Sequence, residues 1–151
     1  MAVQTLNFAA AVSDWVRQTE ARLTAVFRES AQRVISDMQS RVPVDTGFLK
    51  SSLQVSTDAP VPADRSPPAG AAPAYNPTAA TLAIAGAEIG DTLYASYSAV
   101  YAPRVNYGFV GTDSLGRTYN QAGRHFVGLA AQRWPQIVAE VCAELQASAR
   151  P

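Results

Sequence analysis

The feature that most constrains this chain is its first long segment, from about Asn7 to Arg41. Phe8, Val12, Trp15, Val16, Leu23, Val26, Phe27, Val34 and Met38 recur there at three- and four-residue steps, which gathers them into a stripe on one face of an amphipathic helix. Thr5 or Asn7 offers a side-chain oxygen to cap its start. Glu29 stands four residues before Arg33, and Asp37 four before Arg41, the favourable order for ion pairs along a helix. Pro43 ends the segment, because the residue before a proline is pushed away from helical angles. A helix of about 35 residues is roughly 50 Å long, more than a one-domain chain needs to cover its own core. Part of the stripe is therefore expected to meet another subunit, with Trp15, Leu23 and Phe27 in the contact.

The remainder fits a single domain. At 151 residues, with nearly half of them apolar, the chain can close one core. After a turn at Asp45-Thr46-Gly47, Leu49 to Thr57 alternates as a strand with Leu53 and Val55 on one side. The stretch 58–78 then places Pro60, Pro62, Pro67, Pro68, Pro73 and Pro77 among Ala, Gly and Ser. It reads as a long extended loop inserted between strands, either an arm lying on a neighbouring subunit or a floppy insertion. Ala80 to Ala87 and Asp91 to Tyr97 read as two further strands. A short helix follows from about Ala99 to Tyr107, with Pro103 in its first turn and Gly108 as its stop. Phe109 to Ala122 reads as a surface loop. The last helix, about Arg124 to Ala147, keeps Val127, Ala130, Trp134, Val138, Val141 and Leu145 in phase through Pro135, which implies one kinked helix. The expected fold class is α+β: a long N-terminal helix and a kinked C-terminal helix packed on a small antiparallel β-sheet.

Charge and residue usage narrow the function. Twelve basic and twelve acidic side chains cancel, whereas binding to bulk nucleic acid usually draws on a basic excess. Eleven of the twelve basic residues are Arg, which suits bidentate contacts at protein interfaces and also fits a genome rich in G and C. Cys142 is the one cysteine, so no internal disulfide framework is possible. No apolar run approaches the roughly 20 residues of a membrane span, and Met1 to Phe8 lacks the pattern of a signal peptide. These features lead to the expectation of a chain that matures in a cytoplasm. His125 is the only histidine, no Gly-x-Ser-x-Gly elbow occurs, and neither a metal-ligand spacing nor a phosphate-cradling glycine loop is found. A hydrolase would need Asp45, Thr46 and His125 to converge. The expectation is no catalytic residue, no metal and no cofactor.

The most distinctive stretch is Val42-Pro43-Val44-Asp45-Thr46-Gly47-Phe48-Leu49-Lys50-Ser51-Ser52. Physically it is a helix stop and a turn, in which Asp45 can bond the backbone two residues on and Gly47 can supply a positive φ. A long N-terminal helix followed by Pro-Val-Asp-Thr-Gly-x-Leu-x-x-Ser resembles the phage family typified by the tenth gene product of phage HK97. The motif positions are Pro43, Asp45, Thr46, Gly47, Leu49 and Ser52. A second segment, Tyr101, Ala102, Val105, Asn106, Tyr107 and Gly108, occupies the place of the family's Tyr-Ala-x-x-Val-Glu-aromatic-Gly, with Asn106 where Glu is usual. Arg124-His125-Phe126 looks like the aromatic-bearing start of the family's last helix, without its proline.

The resemblance implies a structural virion protein of the head-tail junction, a ring that completes the tail and joins it to the portal and adaptor complex. The implied partners are further copies of itself in a sixfold ring, portal-adaptor or head-completion proteins, and tail-terminator or tail-tube proteins. DNA would pass through the lumen only, and no membrane is involved. Besides Trp15, Leu23 and Phe27, Arg124 and Phe126 are expected at the subunit interface. Tyr94, Tyr97, Tyr101, Tyr107 and Tyr119 suit either interface hot spots or ordinary packing. The alternative is a non-virion assembly factor that binds head or tail components during morphogenesis and is absent from the finished particle.

Overall fold

The structure, a computed structural model, describes the backbone of residues 2–149 and the side chains of residues 7–149. Helix α1 spans Ala2–Arg41, about 60 Å of rod at 1.5 Å per residue. Thr5 and Asn7 therefore lie inside the helix, and neither is its cap. The helix stops where Pro43 forbids continuation. Its Glu29–Arg33 and Asp37–Arg41 pairs form at 2.7 and 2.9 Å.

Gly47, at φ 85°, turns the chain into a one-turn helix α2 (Phe48–Ser51) before strand β1 (Leu53–Ser56). The strand expected from Leu49 thus starts later, because Phe48 and Leu49 are both drawn into the core by the helical turn. Helix α3 (Thr78–Gly86) replaces the strand expected at Ala80 to Ala87. A short apolar run does not distinguish a strand from a buried helix, and here Ala80 and Ile84, four apart, are the buried pair. Strand β2 (Tyr94–Tyr97) pairs antiparallel with β1, Leu53 opposite Tyr97. Helix α4 (Ala102–Tyr107) has Pro103 in its first turn and ends on Gly108 at φ 90°.

Strands β3 (Gly108–Thr112) and β4 (Thr118–Ala122) form a hairpin where a loop was expected. Every side chain of β4 is exposed, so its sequence carries no apolar alternation to betray a strand. The C-terminal helix is kinked, and the break at Arg133 divides it into α5 (Phe126–Gln132) and α6 (Trp134–Ser148). Pro135 sits in the first turn of α6, where a missing N–H leaves no helical bond unmade.

The fold is α+β, with two small two-stranded antiparallel sheets, of which β1–β2 joins the helices in the core and the β3–β4 hairpin is largely exposed. The core joins the second half of α1 (Ala31, Ile35, Met38) to Phe48, Leu49, Leu53, Ile84, Tyr97, Phe126 and Ala130. Ile137 and Val141 of α6 are also buried. Tyr97 meets Phe126 edge-on at 5.1 Å and donates its hydroxyl to Gln39 Oε1, while Gln39 Nε2 donates to the Lys50 carbonyl. Burial holds the Tyr97 phenol protonated far above its ordinary range. Arg133 and Arg41 both bind Asp37, and Arg33 binds Glu144, which ties α6 to α1.

The proline-rich stretch is anchored at several points on its own chain. The Arg65 amide donates to the Ser98 carbonyl and the Val100 amide to the Arg65 carbonyl, at 2.9 and 2.8 Å. Ala72 and Tyr75 pack on the core. A segment whose prolines cannot join a ladder is laid along the chain's own sheet edge by the few amides it retains.

Candidate assembly interface

Two surfaces stand out. The first is the leading half of α1. Every described side chain from Asn7 to Gln18 is exposed, so this half of the helix overhangs the core. Phe8 and Trp15 are 72% and 67% exposed, and Val12, Val16 and Leu23 are exposed with them. At 100° per residue these positions fall within about 100° of arc, an apolar stripe with no cover among the described residues. Thr19 lies on the same arc and folds its hydroxyl back onto the Trp15 carbonyl at 2.8 Å. Asp14 and Arg17 pair with one another at 2.6 Å on the opposite face. Below the overhang the stripe runs into an apolar groove of about 380 Å³ between α1 and α6, lined by Leu23, Val26, Cys142, Leu145 and Ala149. Phe27 is half-buried and turns instead to a separate apolar hollow shared with Leu93 and Trp134.

The second surface is a cleft of about 460 Å³ lined by Pro43, Asp45, Thr46, Gly47, Leu49, Tyr101, Val105, Gln121 and Arg124. It brings together residues from all three segments singled out in the sequence. The Thr46 hydroxyl, not Asp45, accepts the Phe48 amide at 3.3 Å. Tyr101 stands over Phe48 with ring centres 6.1 Å apart. Burial raises its phenol above the ordinary value, against the opposing pull of the Leu49 backbone and the Thr46 hydroxyl. Leu49, Ser52 and Ala102 are buried beneath the cleft. The Ser52 hydroxyl donates to the Leu49 carbonyl, and its own carbonyl accepts both the amide and the hydroxyl of Ser98.

Asn106 explains how the second and third segments are held together. It is buried, its Oδ1 accepts the Val127 amide at 3.1 Å, and its carbonyl accepts the His125 amide at 2.9 Å. It thus satisfies an orphan donor at the start of α5, which is capping from a distance and not charge pairing. Gly108 and Gly123 cross behind it. A Cβ on Gly123 would meet Asn106 and Tyr107 backbone atoms at 2.6 Å, and one on Gly108 the Gln121 carbonyl at 2.7 Å.

Among the residues expected at an interface, Trp15 and Leu23 are exposed on the overhang, and Arg124 is at the cleft. Phe126 is 0% exposed inside the core, packed on Tyr97, so it has no surface to offer a partner. Tyr107 is 75% exposed, whereas the Tyr119 hydroxyl is engaged by Asp113. Asp45 and Thr46 line the cleft with Arg124, and His125, exposed at φ 50°, is not among the lining residues. Sequence reasoning missed Gly123 and the Asp37–Arg133 pair. The two glycines 15 positions apart give no local signal, since their close approach is made only by the hairpin between them. No described helix is long and apolar enough to cross a membrane, and no group of His, Cys, Asp or Glu among the described residues could hold a metal ion. No protein-family model matches the chain, and neither does any curated protein or solved structure.

Proposed function

We propose that the chain is a structural subunit of the neck of a tailed-phage particle, one of a sixfold ring of copies that completes the tail and joins it to the portal and adaptor proteins. The observation that carries the proposal is the overhang. Half of a 40-residue helix stands clear of the core and exposes an apolar stripe from Phe8 to Leu23. A stripe of this kind is what a subunit needs and a free monomer does not. The resemblance in three separate segments supplies the identity of the assembly, and the meeting of those segments around one cleft supports their acting as one surface. The overhang contacts neighbouring chains in the ring, and the cleft and the β3–β4 hairpin face the proteins above and below. No residue carries bond chemistry, no cofactor is required, and DNA passes only through the lumen. The chain's neutral balance suits a channel that must not grip its cargo.

Electron cryomicroscopy of purified particles tests this directly. The expected result is density for this chain in a closed ring between portal and tail tube, with a fixed small copy number. Particles that infect normally and contain none of it would move the chain to the rival role, an assembly factor that leaves before completion.

A further inference from the structure

We infer that the loop of residues 57–60 of one copy seats in the cleft of the next copy, with Asp58 held by Arg124. The contact rests on the ring reading above and names residues that join neighbours within it. The acceptor, the cleft of about 460 Å³, is formed by the turn after α1, by α4, by the end of β4 and by Pro67. It is built before any partner arrives. Gly47 sets the turn, the Thr46 hydroxyl accepts the Phe48 amide, and the Arg124 amide is fixed on the Val105 carbonyl at 2.8 Å. Its two ionised side chains, Arg124 and Asp45, form no ion pair with each other or with any other described residue. Arg124 is unusual in this. Among the described arginines, every other except Arg22 holds a carboxylate or a carbonyl, or lies over an aromatic ring.

The remaining walls are largely apolar, from Pro43, Leu49, Pro67, Tyr101 and Val105. A segment that fits such a cleft carries a carboxylate for Arg124, a hydroxyl donor for Asp45, and a small or proline side chain for the aromatic wall. Residues 57–60 supply that set in four consecutive positions: Thr57, Asp58, Ala59 and Pro60, all exposed. The Asp58 amide is engaged by the Ser56 hydroxyl at 3.0 Å, but its carboxylate has no partner among the described residues. Asp64, the other acid of the proline-rich stretch, is held back, because the backbone of Arg65 beside it is bonded to both Ser98 and Val100.

Placement makes this a contact between copies. The loop follows the end of β1 remote from α2, whereas the cleft adjoins α2. The chain from Val61, bonded to the Ser96 hydroxyl, through Arg65, paired with Ala99, to Pro67 then runs from the loop's side to the cleft. Six steps of extended chain separate loop and cleft by about 20 Å, so no chain fills its own cleft. A contact between opposite ends is head-to-tail, and it leaves one loop and one cleft free until a ring closes. The cleft still turns to the proteins above and below, with the neighbour's loop as part of the surface it shows them.

Charge reversal in the full chain tests the pair. Sedimentation velocity of the unmodified protein at high micromolar concentration and low salt is expected to show association that grows with concentration. Arg124→Glu and Asp58→Arg are each expected to weaken it by about tenfold or more, since each sets like charges together. The double variant, and an equal mixture of the two single variants, are expected to restore it, because both rebuild an opposite-charge pair. Circular dichroism checks that all variants are folded. A monomeric unmodified chain, a single variant that associates like the parent, or a double variant as weak as the singles each overturns the contact. Loss with Arg124→Glu but not with Asp58→Arg would likewise reject this loop as the occupant. None of these readouts depends on whether particles contain the protein, so absence from the neck would sink the ring reading while leaving a measured contact standing.

Discussion

At the scale of single residues, the structure separates glycines that serve one backbone torsion from glycines that serve packing. Gly47 has φ 85° and nothing within 4 Å of a would-be Cβ. Gly47→Ala is therefore expected to cost only the left-handed conformation, about 1 kcal/mol, and the β-branched Gly47→Val somewhat more. At Gly123 the added carbon would overlap backbone atoms of Asn106 and Tyr107, which no side-chain rotation can relieve. Gly123→Ala should cost about 3 kcal/mol or more, lowering Tm by roughly 2–4 °C per kcal/mol in a chain of this size. Urea unfolding of the two variants side by side checks the ordering, and equal losses would remove the packing account. The Asp-Thr-Gly turn was legible in the sequence because Gly47 acts within four residues. The crossing of Gly108 and Gly123 was not, because it exists only once the hairpin has formed.

At the scale of elements, legibility followed the length of the periodic signal. Helix α1 was readable because its apolar positions recur over many turns. Helix α3 was not, since its nine residues, Ala, Thr, Leu and Ile with a final Gly, offer no charged face to fix a period. The break at Arg133 shows how a proline can be placed correctly in space and misjudged in energy. In a helix interior Pro135 would cost about 3 kcal/mol, but in the first turn of α6 it removes no bond. Pro135→Ala is accordingly expected to change stability by less than about 1 kcal/mol, where relief of an interior proline would stabilise by several times that. Chemical denaturation distinguishes the two.

The junction of α1 and α6 also sets an acid limit. Hydrogen bonding from Arg41, with Arg133 assisting against the effect of burial, holds the Asp37 carboxyl below its ordinary value. A carboxylate lowered by folding adds stability that is present above its unfolded pKa, about 3.9, and is lost as pH falls through the folded value. Stability should thus fall from about pH 4 downward, and Asp37→Asn should flatten that part of the profile while lowering stability at neutral pH. An unchanged acid slope in the variant would assign the loss to other carboxylates.

At the scale of the whole molecule, the core and the overhang are energetically separate. In the second half of α1, Ala31, Ile35, Met38 and Gln39 are buried where α3, α5 and α6 pack on the helix, whereas the side chains of residues 7–18 lie outside the core with their surfaces exposed. The sequence disclosed this division through a mismatch of lengths, a helix longer than its domain, but not where along the stripe exposure gives way to burial: Trp15 and Leu23 are free, whereas Phe27 is half-buried. That boundary depends on where α5 and α6 return, and the end of α6 reaches back to Leu23. Trp15→Glu puts the separation to use. The side chain is 67% exposed and touches no part of the core, and Glu is a good helix former, so folding stability should stay within about 0.5 kcal/mol of the parent. Assembly should not survive the change. A carboxylate at the centre of the stripe would have to be desolvated against an apolar partner, and removing an aromatic anchor from an interface costs 2 kcal/mol or more. Complementation of a phage lacking the gene measures both halves at once. Folded, soluble variant protein with heads and tails left unjoined is the expected outcome. Normal particle yield from the same variant would show that the overhang is not the surface through which the chain enters its assembly.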